Sequence, residues 1–387
     1  MMVKTFALAA AALVASVAIA APHQDLPPLN DSVLRHALQV RPTDKVTGAL
    51  LRITGSAGQW SGTSGAGDIA NHQPVPLNGR FRIGSISKVF TAAVVLQLAA
   101  EHKIVLTNTV QHYLPGLLPE NLPPVTIGQL LNHTSGLPDD DSPFKTTGDA
   151  QWFVDHRFDV WTPAQIVAID SRHPMQFAPG TKQKYDGINY YLAGLLIEKI
   201  TGNTYAAEVQ HRIISPLGLH DTSVPGPYDF AIPGPHSHGY VAVGDKLVDV
   251  TEESPWAWAE GGLISSAADL DHFLTALFKG KIVPASELNE MFTLPVSPDG
   301  TPVPYVDASN CPGGNACYSM GLMKVSLPGT TIFAWGKTGS RPGYTDGVFA
   351  TPDLKRKIVY VLNPTGNKDG SEQPFVLRLA SAAFLGK

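Results

Sequence analysis

Arg82-Ile83-Gly84-Ser85-Ile86-Ser87-Lys88-Val89-Phe90-Thr91 sets a serine and a lysine three residues apart at the head of a long apolar run. Residues three apart on a helix share a face, one turn above the other, so the Lys88 amine comes within reach of the Ser85 hydroxyl. A serine hydroxyl is a weak nucleophile until a neighbouring base takes its proton, and a lysine in a dry site can be that base. The free N–H groups and dipole of a helix start also favour developing negative charge. The spacing alone is common: Ser142-Pro143-Phe144-Lys145 repeats it, but follows Asp139-Asp140-Asp141, contains proline and reads as a solvated loop.

Outward from this stretch the pattern is regular. Val89, Phe90, Ala93, Val94, Leu96 and Leu98 continue a helix that is apolar nearly all round, hence buried. Before it lie a short helix at Asp31 to Leu38, a hairpin of strands from Thr47 to Gly67, and an extended piece at Arg80 to Ile83. After it, helices are expected at Ile127 to Asn132, from Thr162-Pro163 onward, and at Ile188 to Thr201. Ser266-Ala267-Ala268-Asp269 reads as a capping box opening an amphipathic helix. Strands are expected at Ser319 to Lys324, Thr331 to Lys337, Thr345 to Thr351 and Ile358 to Asn363, then a helix from Phe375 to Leu385. The order predicts an α/β (α+β type) fold: an antiparallel sheet built from both chain ends and flanked by helices, with a mostly helical lobe at roughly 101–255 inserted between them.

Composition narrows the function classes. The chain has 387 residues, 43% hydrophobic and 16% charged, enough for one large core. A net charge of −5 without a basic run argues against nucleic-acid binding. Met1 to Ala20, with Lys4 before an Ala/Val/Leu-rich run and Ala18-Ile19-Ala20 at its end, reads as a secretory signal, leaving 21–387 as the mature chain. No other stretch is apolar enough to span a bilayer, so a protein acting outside the cytoplasm, extracellular or periplasmic, is expected. Cys311 and Cys317 bracket a turn-rich loop and suit a small-loop disulfide there; without nearby histidine they do not suggest zinc.

Two further pieces bear on Ser85. Trp335-Gly336-Lys337-Thr338-Gly339-Ser340, at the end of a predicted strand, offers a cation, a hydroxyl, a glycine that a substrate backbone can approach, and the Ser340 N–H. Lys182-Gln183-Lys184-Tyr185-Asp186-Gly187-Ile188-Asn189 places a tyrosine among cations, where it could serve as a general base. Together with Leu130-Leu131-Asn132-His133-Thr134-Ser135-Gly136-Leu137, Pro179-Gly180, Leu192 to Gly202, Pro216-Leu217-Gly218-Leu219 and Gly261-Gly262-Leu263-Ile264-Ser265-Ser266, these motifs resemble the penicillin-recognising serine hydrolases. The class C β-lactamase and D-alanyl-D-alanine carboxypeptidase branch fits best, and the text between motifs resembles the secreted single-domain carboxypeptidases.

The resemblance implies that Ser85 is the acylated nucleophile, Lys88 its proton partner and Tyr185 the shuttle to the leaving group. It implies that Lys337 and Thr338 bind the substrate carboxylate and steady Tyr185, with the Ser85 and Ser340 N–H groups as oxyanion hole. The substrate would be a peptidoglycan stem peptide or a β-lactam, handled by a monomer with no cofactor or metal. β-Lactamase, D-aminopeptidase and carboxylesterase activities share this scaffold, and an inactive penicillin-binding sensor is the alternative of another class. A class A β-lactamase is disfavoured because Ser-Asp-Asn is missing, and an α/β-hydrolase because Gly-x-Ser-x-Gly is missing.

One departure stands out: the family's Tyr-x-Asn is here Tyr185-Asp186-Gly187. The missing amide normally contacts the lysine and the acyl-side carbonyl. Asn189 sits on the following helix, and Asp186 could bring a carboxylate to the site instead. His133 reads as structural. His236 and His238 read as two imidazoles on one strand face, and Trp256 and Trp258 as alternating strand residues of core or cleft wall. Arg341 reads as a substrate-carboxylate ligand or an exposed loop charge.

Overall fold

The computed structural model describes residues 26–138, 149–307 and 311–387. The leader reading at Met1 to Ala20 and the loop reading at Asp139 to Lys145 lie outside the described residues. Strands β1 (Val46–Thr54), β2 (Trp60–Asp68) and β3 (Gln73–Pro74) come from one end of the chain. The short strands β4 (Arg80–Arg82), β5 (Tyr240–Val243), β6 (Lys246–Asp249) and β7 (Ile264–Ser266) lie between, and β8 (Met323–Ser326), β9 (Phe333–Arg341), β10 (Tyr344–Ala350) and β11 (Lys357–Pro364) close the chain. They form a seven-stranded sheet ordered β3-β2-β1-β11-β10-β9-β8, antiparallel throughout, with β1 against β11 joining the two ends.

Alternation along the strands assigns the two faces of the sheet. Ala49, Leu51 and Ile53 of β1, with Ile358, Tyr360 and Leu362 of β11, pack under the helices Asp31–Leu38 and Gln373–Leu385. Leu50, Val359 and Val361 point the other way, into the larger core that holds the helices Ser87–Ala100, Ile188–Thr201 and Ala267–Phe278. The helix carrying Lys88 is buried along most of its length, as its unbroken apolar sequence requires, and Phe90 stacks on Phe273 with ring centroids 3.8 Å apart. Among the described residues no helix is long and apolar enough to cross a membrane.

Several expectations are corrected by the structure. The Lys-Thr-Gly segment lies within β9, which runs on to Arg341 because β10 pairs with it as far as Tyr344↔Arg341. Ser266 does cap its helix by accepting from the Asp269 N–H, but the box is half formed. The Asp269 carboxylate instead accepts from the Asp221 N–H and the Thr222 hydroxyl, each at 2.8 Å, tying the helix to the preceding loop. Trp256 and Trp258 are not strand residues: they enter a short helix, Trp258–Gly261, with Trp258 at φ +44°. His236 and His238 precede β5 rather than sharing a strand; their rings stack at 5.3 Å and His238 pairs with Asp249 at 2.6 Å.

Candidate active site

Three chain segments converge on Ser85. A tight turn, Gly84–Ile86, carries the serine just before the buried helix. Gly84 has φ +44°, and a β-carbon there would sit 2.5 Å from the Ser340 nitrogen, so only glycine lets the turn lie against β9. Gly339 is needed for the same approach from the other side: a β-carbon would collide with the Ile83 carbonyl oxygen and the Asp346 carboxyl. The two glycines therefore bring the Ser340 amide to the turn that holds Ser85. The third segment arrives because β4 pairs with β7, with Arg82 opposite Ile264, and the Ile83 N–H donates to the Leu263 carbonyl at 3.1 Å. That pairing sets residues 258–262 beside the Lys88 side chain.

The Lys88 ammonium is fully buried. Its Nζ lies 3.2 Å from Ser85 Oγ, 2.8 Å from the Glu260 carbonyl oxygen and 2.5 Å from Glu260 Oε1. Burial pushes the Glu260 carboxyl up, but the Lys88 charge and hydrogen bond outweigh it and hold the group below the usual carboxylate range. Sequence reading missed Glu260; its one available signal was an acidic residue directly before the Gly261-Gly262 motif.

Tyr185 is reached by both lysines, with Lys88 Nζ 5.0 Å and Lys337 Nζ 4.6 Å from its ring centroid. Its cationic neighbours thus come from distant segments, while Lys184 turns to the Gln176 side chain. The tyrosine segment is fixed from below. The Tyr185 N–H donates to the Tyr305 hydroxyl at 3.0 Å. Buried Gln183 donates to the Asn132 and Tyr318 carbonyls and accepts from the Cys317 and Tyr318 N–H groups. Cys311 and Cys317 are joined in a disulfide, so Gln183 ties Tyr185 to a cross-linked loop.

His133 supports this segment structurally. Its ring lies 4.5 Å from that of Tyr185, and its Nδ1 accepts from the Asp186 N–H at 3.2 Å. Burial, then the charges of Lys88 and Lys337, hold its imidazole neutral, well below the usual range. Asp186 does not add a carboxylate to the cleft. It accepts from the Gln176 side chain at 2.8 Å and from the Ile188 N–H, two residues on, at 3.3 Å. Asn189 faces His133 at 3.3 Å and does not take the place of the missing amide. Arg341 is not an exposed loop charge: it is buried, and its guanidinium is taken up by a two-bond pair with Glu253 at 2.8 and 2.9 Å and by stacking on Trp256, rather than being offered to a substrate carboxylate.

Lys337 is buried, and its Nζ donates to the Thr338 carbonyl at 3.0 Å. Burial, then the charge of Lys88, push its ammonium down to about 7. Thr338 is half-buried, with its hydroxyl 3.9 Å from the Met323 sulfur. Behind them the fully buried Asp346 carboxyl is pushed well above the usual range by burial, against the pull of Lys337. A raised acid binds a proton in the fold that the unfolded chain has lost, so Asp346 costs stability as pH rises above the ordinary carboxyl range. Asp346→Asn is therefore expected to raise the melting temperature at pH 7–8 and leave it nearly unchanged near pH 4; equal shifts at both pH values would contradict this. Among the described residues no group of three or more His, Cys, Asp or Glu side chains could hold a metal ion.

A serine, a lysine touching it, a tyrosine between two ammonium groups and a strand amide beside the serine are the parts of an acyl-transfer site. The Beta-lactamase family model matches residues 31–382. The chain belongs to the beta-lactamase family. This family's fold accounts for the sheet and its flanking helices, and its members are serine hydrolases. The chain is 33% identical to a D-stereospecific amidohydrolase from Streptomyces sp., at a TM-score of 0.78 over 92% of this chain and 99% of that one. It is 25% identical to a D-amino acid amidase from Ochrobactrum anthropi solved with D-phenylalanine, at a TM-score of 0.73 over 91% and 98% of the two chains. Penicillin-binding protein 4* of Bacillus subtilis is 25% identical over 88% of this chain. That match spans 72% of the relative's own length, and another curated relative is matched over 64% of its length.

Proposed function

We propose that the protein is a secreted D-alanyl-D-alanine carboxypeptidase acting as a monomer on peptidoglycan stem peptides. In this reading Ser85 attacks the carbonyl of the penultimate D-residue, with Lys88 as its proton partner. Tyr185 passes a proton to the departing amine, the Ser85 and Ser340 N–H groups hold the oxyanion, and water then releases the acyl group. The observation that carries the reading is Lys337 beside Thr338 on β9: a buried cation and a hydroxyl on the strand that lies against the Ser85 turn, suited to the terminal carboxylate of the leaving D-residue. The disulfide suits an oxidising compartment, in keeping with the Met1 to Ala20 leader. The likeness to the Streptomyces amidohydrolase favours a second reading, hydrolysis of D-amino-acid amides.

A peptide ending in D-Ala-D-Ala, the same peptide as its terminal amide, and D-phenylalanine amide separate the two. The carboxypeptidase reading expects the free-acid peptide to be hydrolysed at least about tenfold faster than its amide, the scale of one charged hydrogen bond. It also expects a particular pH dependence. Lys337 loses its charge as pH rises through about 7, so KM for the free acid rises above that pH while KM for the peptide amide stays flat. Fastest turnover of D-phenylalanine amide would favour the second reading.

A further inference from the structure

The family's Tyr-x-Asn supplies an amide to the lysine, and here that position is Gly187. Yet Lys88 is held by two atoms of one residue, the carbonyl and the carboxylate of Glu260. We propose that Glu260 is the positioning residue that replaces the missing amide, fixing the Lys88 ammonium against Ser85. The inference rests on the reading of Ser85 as the acylated residue.

The local backbone is built to aim this side chain. Trp258 takes the left-handed conformation at φ +44°, which a bulky residue adopts only when its surroundings enforce it. Its ring packs edge-on against Tyr205 at 5.1 Å, and the Tyr205 hydroxyl bonds Thr91 on the Lys88 helix at 2.8 Å. Thr91 also donates to the Ala259 carbonyl at 2.7 Å. Gly262 completes the turn, because a β-carbon there would meet the Trp258 nitrogen at 2.6 Å. The helix that carries Lys88 pins the turn on both sides of Glu260, through Thr91 at the Ala259 carbonyl before it and through the Ser87 hydroxyl, which accepts from the Leu263 N–H at 3.1 Å, after it. Glu260 touches Lys88 and not the reacting carbonyl, so it acts through the lysine.

A charge at Glu260 has a second consequence that a purely structural side chain would lack. The groups acting on Lys337 are Lys88 on the helix, which opposes its ammonium form, and Glu260 on this turn, which favours it, as does Asp346 on β10 only when that buried acid is ionised. Removing the Glu260 charge therefore moves the loss of the Lys337 ammonium to lower pH.

The test measures the rate at which a fluorophosphonate labels Ser85, which reports serine activation whatever the natural substrate. Glu260→Gln is expected to slow labelling about tenfold to a hundredfold, the range of one charged hydrogen bond. It is also expected to lower kcat on a short-chain ester with KM nearly unchanged, and to shift the Lys337-dependent rise in free-acid peptide KM to lower pH. Gly187→Asn in a Glu260→Ala background is expected to recover at least about tenfold of the lost labelling rate. Labelling of Glu260→Gln within about threefold of wild type overturns the proposal, as does a Gly187→Asn, Glu260→Ala protein that folds but labels no faster than Glu260→Ala. Should the Gln variant fail to fold, Glu260→Asp, one methylene shorter, must show the same slowing. Wild-type labelling without hydrolysis of any D-Ala-D-Ala peptide would remove the carboxypeptidase reading while leaving this one standing.

Discussion

Ser85→Ala is expected to lower turnover of the best substrate by at least about ten-thousandfold, with the melting temperature changed by no more than a degree or two. Loss of a nucleophile leaves only binding and oxyanion stabilisation, a small part of the total rate enhancement. The change is mild for the fold because Ser85 is half-buried on a turn whose conformation is set by Gly84, and Ala is compatible with that turn. Steady-state hydrolysis of a short-chain ester, with a melting curve on the same sample, checks both halves. Turnover within about tenfold of wild type would place the chemistry elsewhere.

Lys88→Ala is expected to act on rate and stability together. Its Nζ lies 3.2 Å from Ser85 Oγ, where the ammonium steadies the negative charge that the oxygen gains as it attacks, so a rate loss comparable to that of Ser85→Ala follows. It also strips the Glu260 carboxylate, 19% exposed, of an ion-pair partner at 2.5 Å. Breaking a buried pair by removing one member costs about 3 kcal/mol or more, because the remaining charge is left desolvated. Denaturant unfolding should show that loss in Lys88→Ala. Adding Glu260→Ala should return most of the stability and none of the activity. Equal stability of the single and double variants would mean that the pair carries no structural weight.

The large features were legible because they are periodic or punctuated. The buried helix announced itself by an apolar run without a polar face, and Ile188–Thr201 by helical spacing ending at Gly202 in the left-handed conformation. That one antiparallel sheet joins the two chain ends followed from strands placed at both of them, whereas the strand order came only from the structure. Ser85, Lys88, Tyr185 and Lys337 were legible as motif residues, and the fold brings them together. What could not be read depends on where side chains turn. Arg341 lies next to the Lys-Thr-Gly-Ser run in sequence, yet its guanidinium faces Glu253, eighty-eight positions away. Asp186 is adjacent to Tyr185, yet its carboxylate turns to the helix start beyond it. Glu260 reaches Lys88 only because β4 pairs with β7, a contact between segments far apart in the chain that no local pattern encodes. Gln183 and Cys317 meet beneath Tyr185 for the same reason.

Acylation at Ser85 is tested most directly by intact-protein mass spectrometry after incubation with benzylpenicillin, followed by peptide mapping. If Ser85 is the acylated nucleophile, the mass rises by that of one whole penicillin, with the added mass on the peptide containing Ser85 and none on the Ser85→Ala protein. A wild-type protein that stays unmodified at every time point, or an adduct that persists in Ser85→Ala, would contradict it.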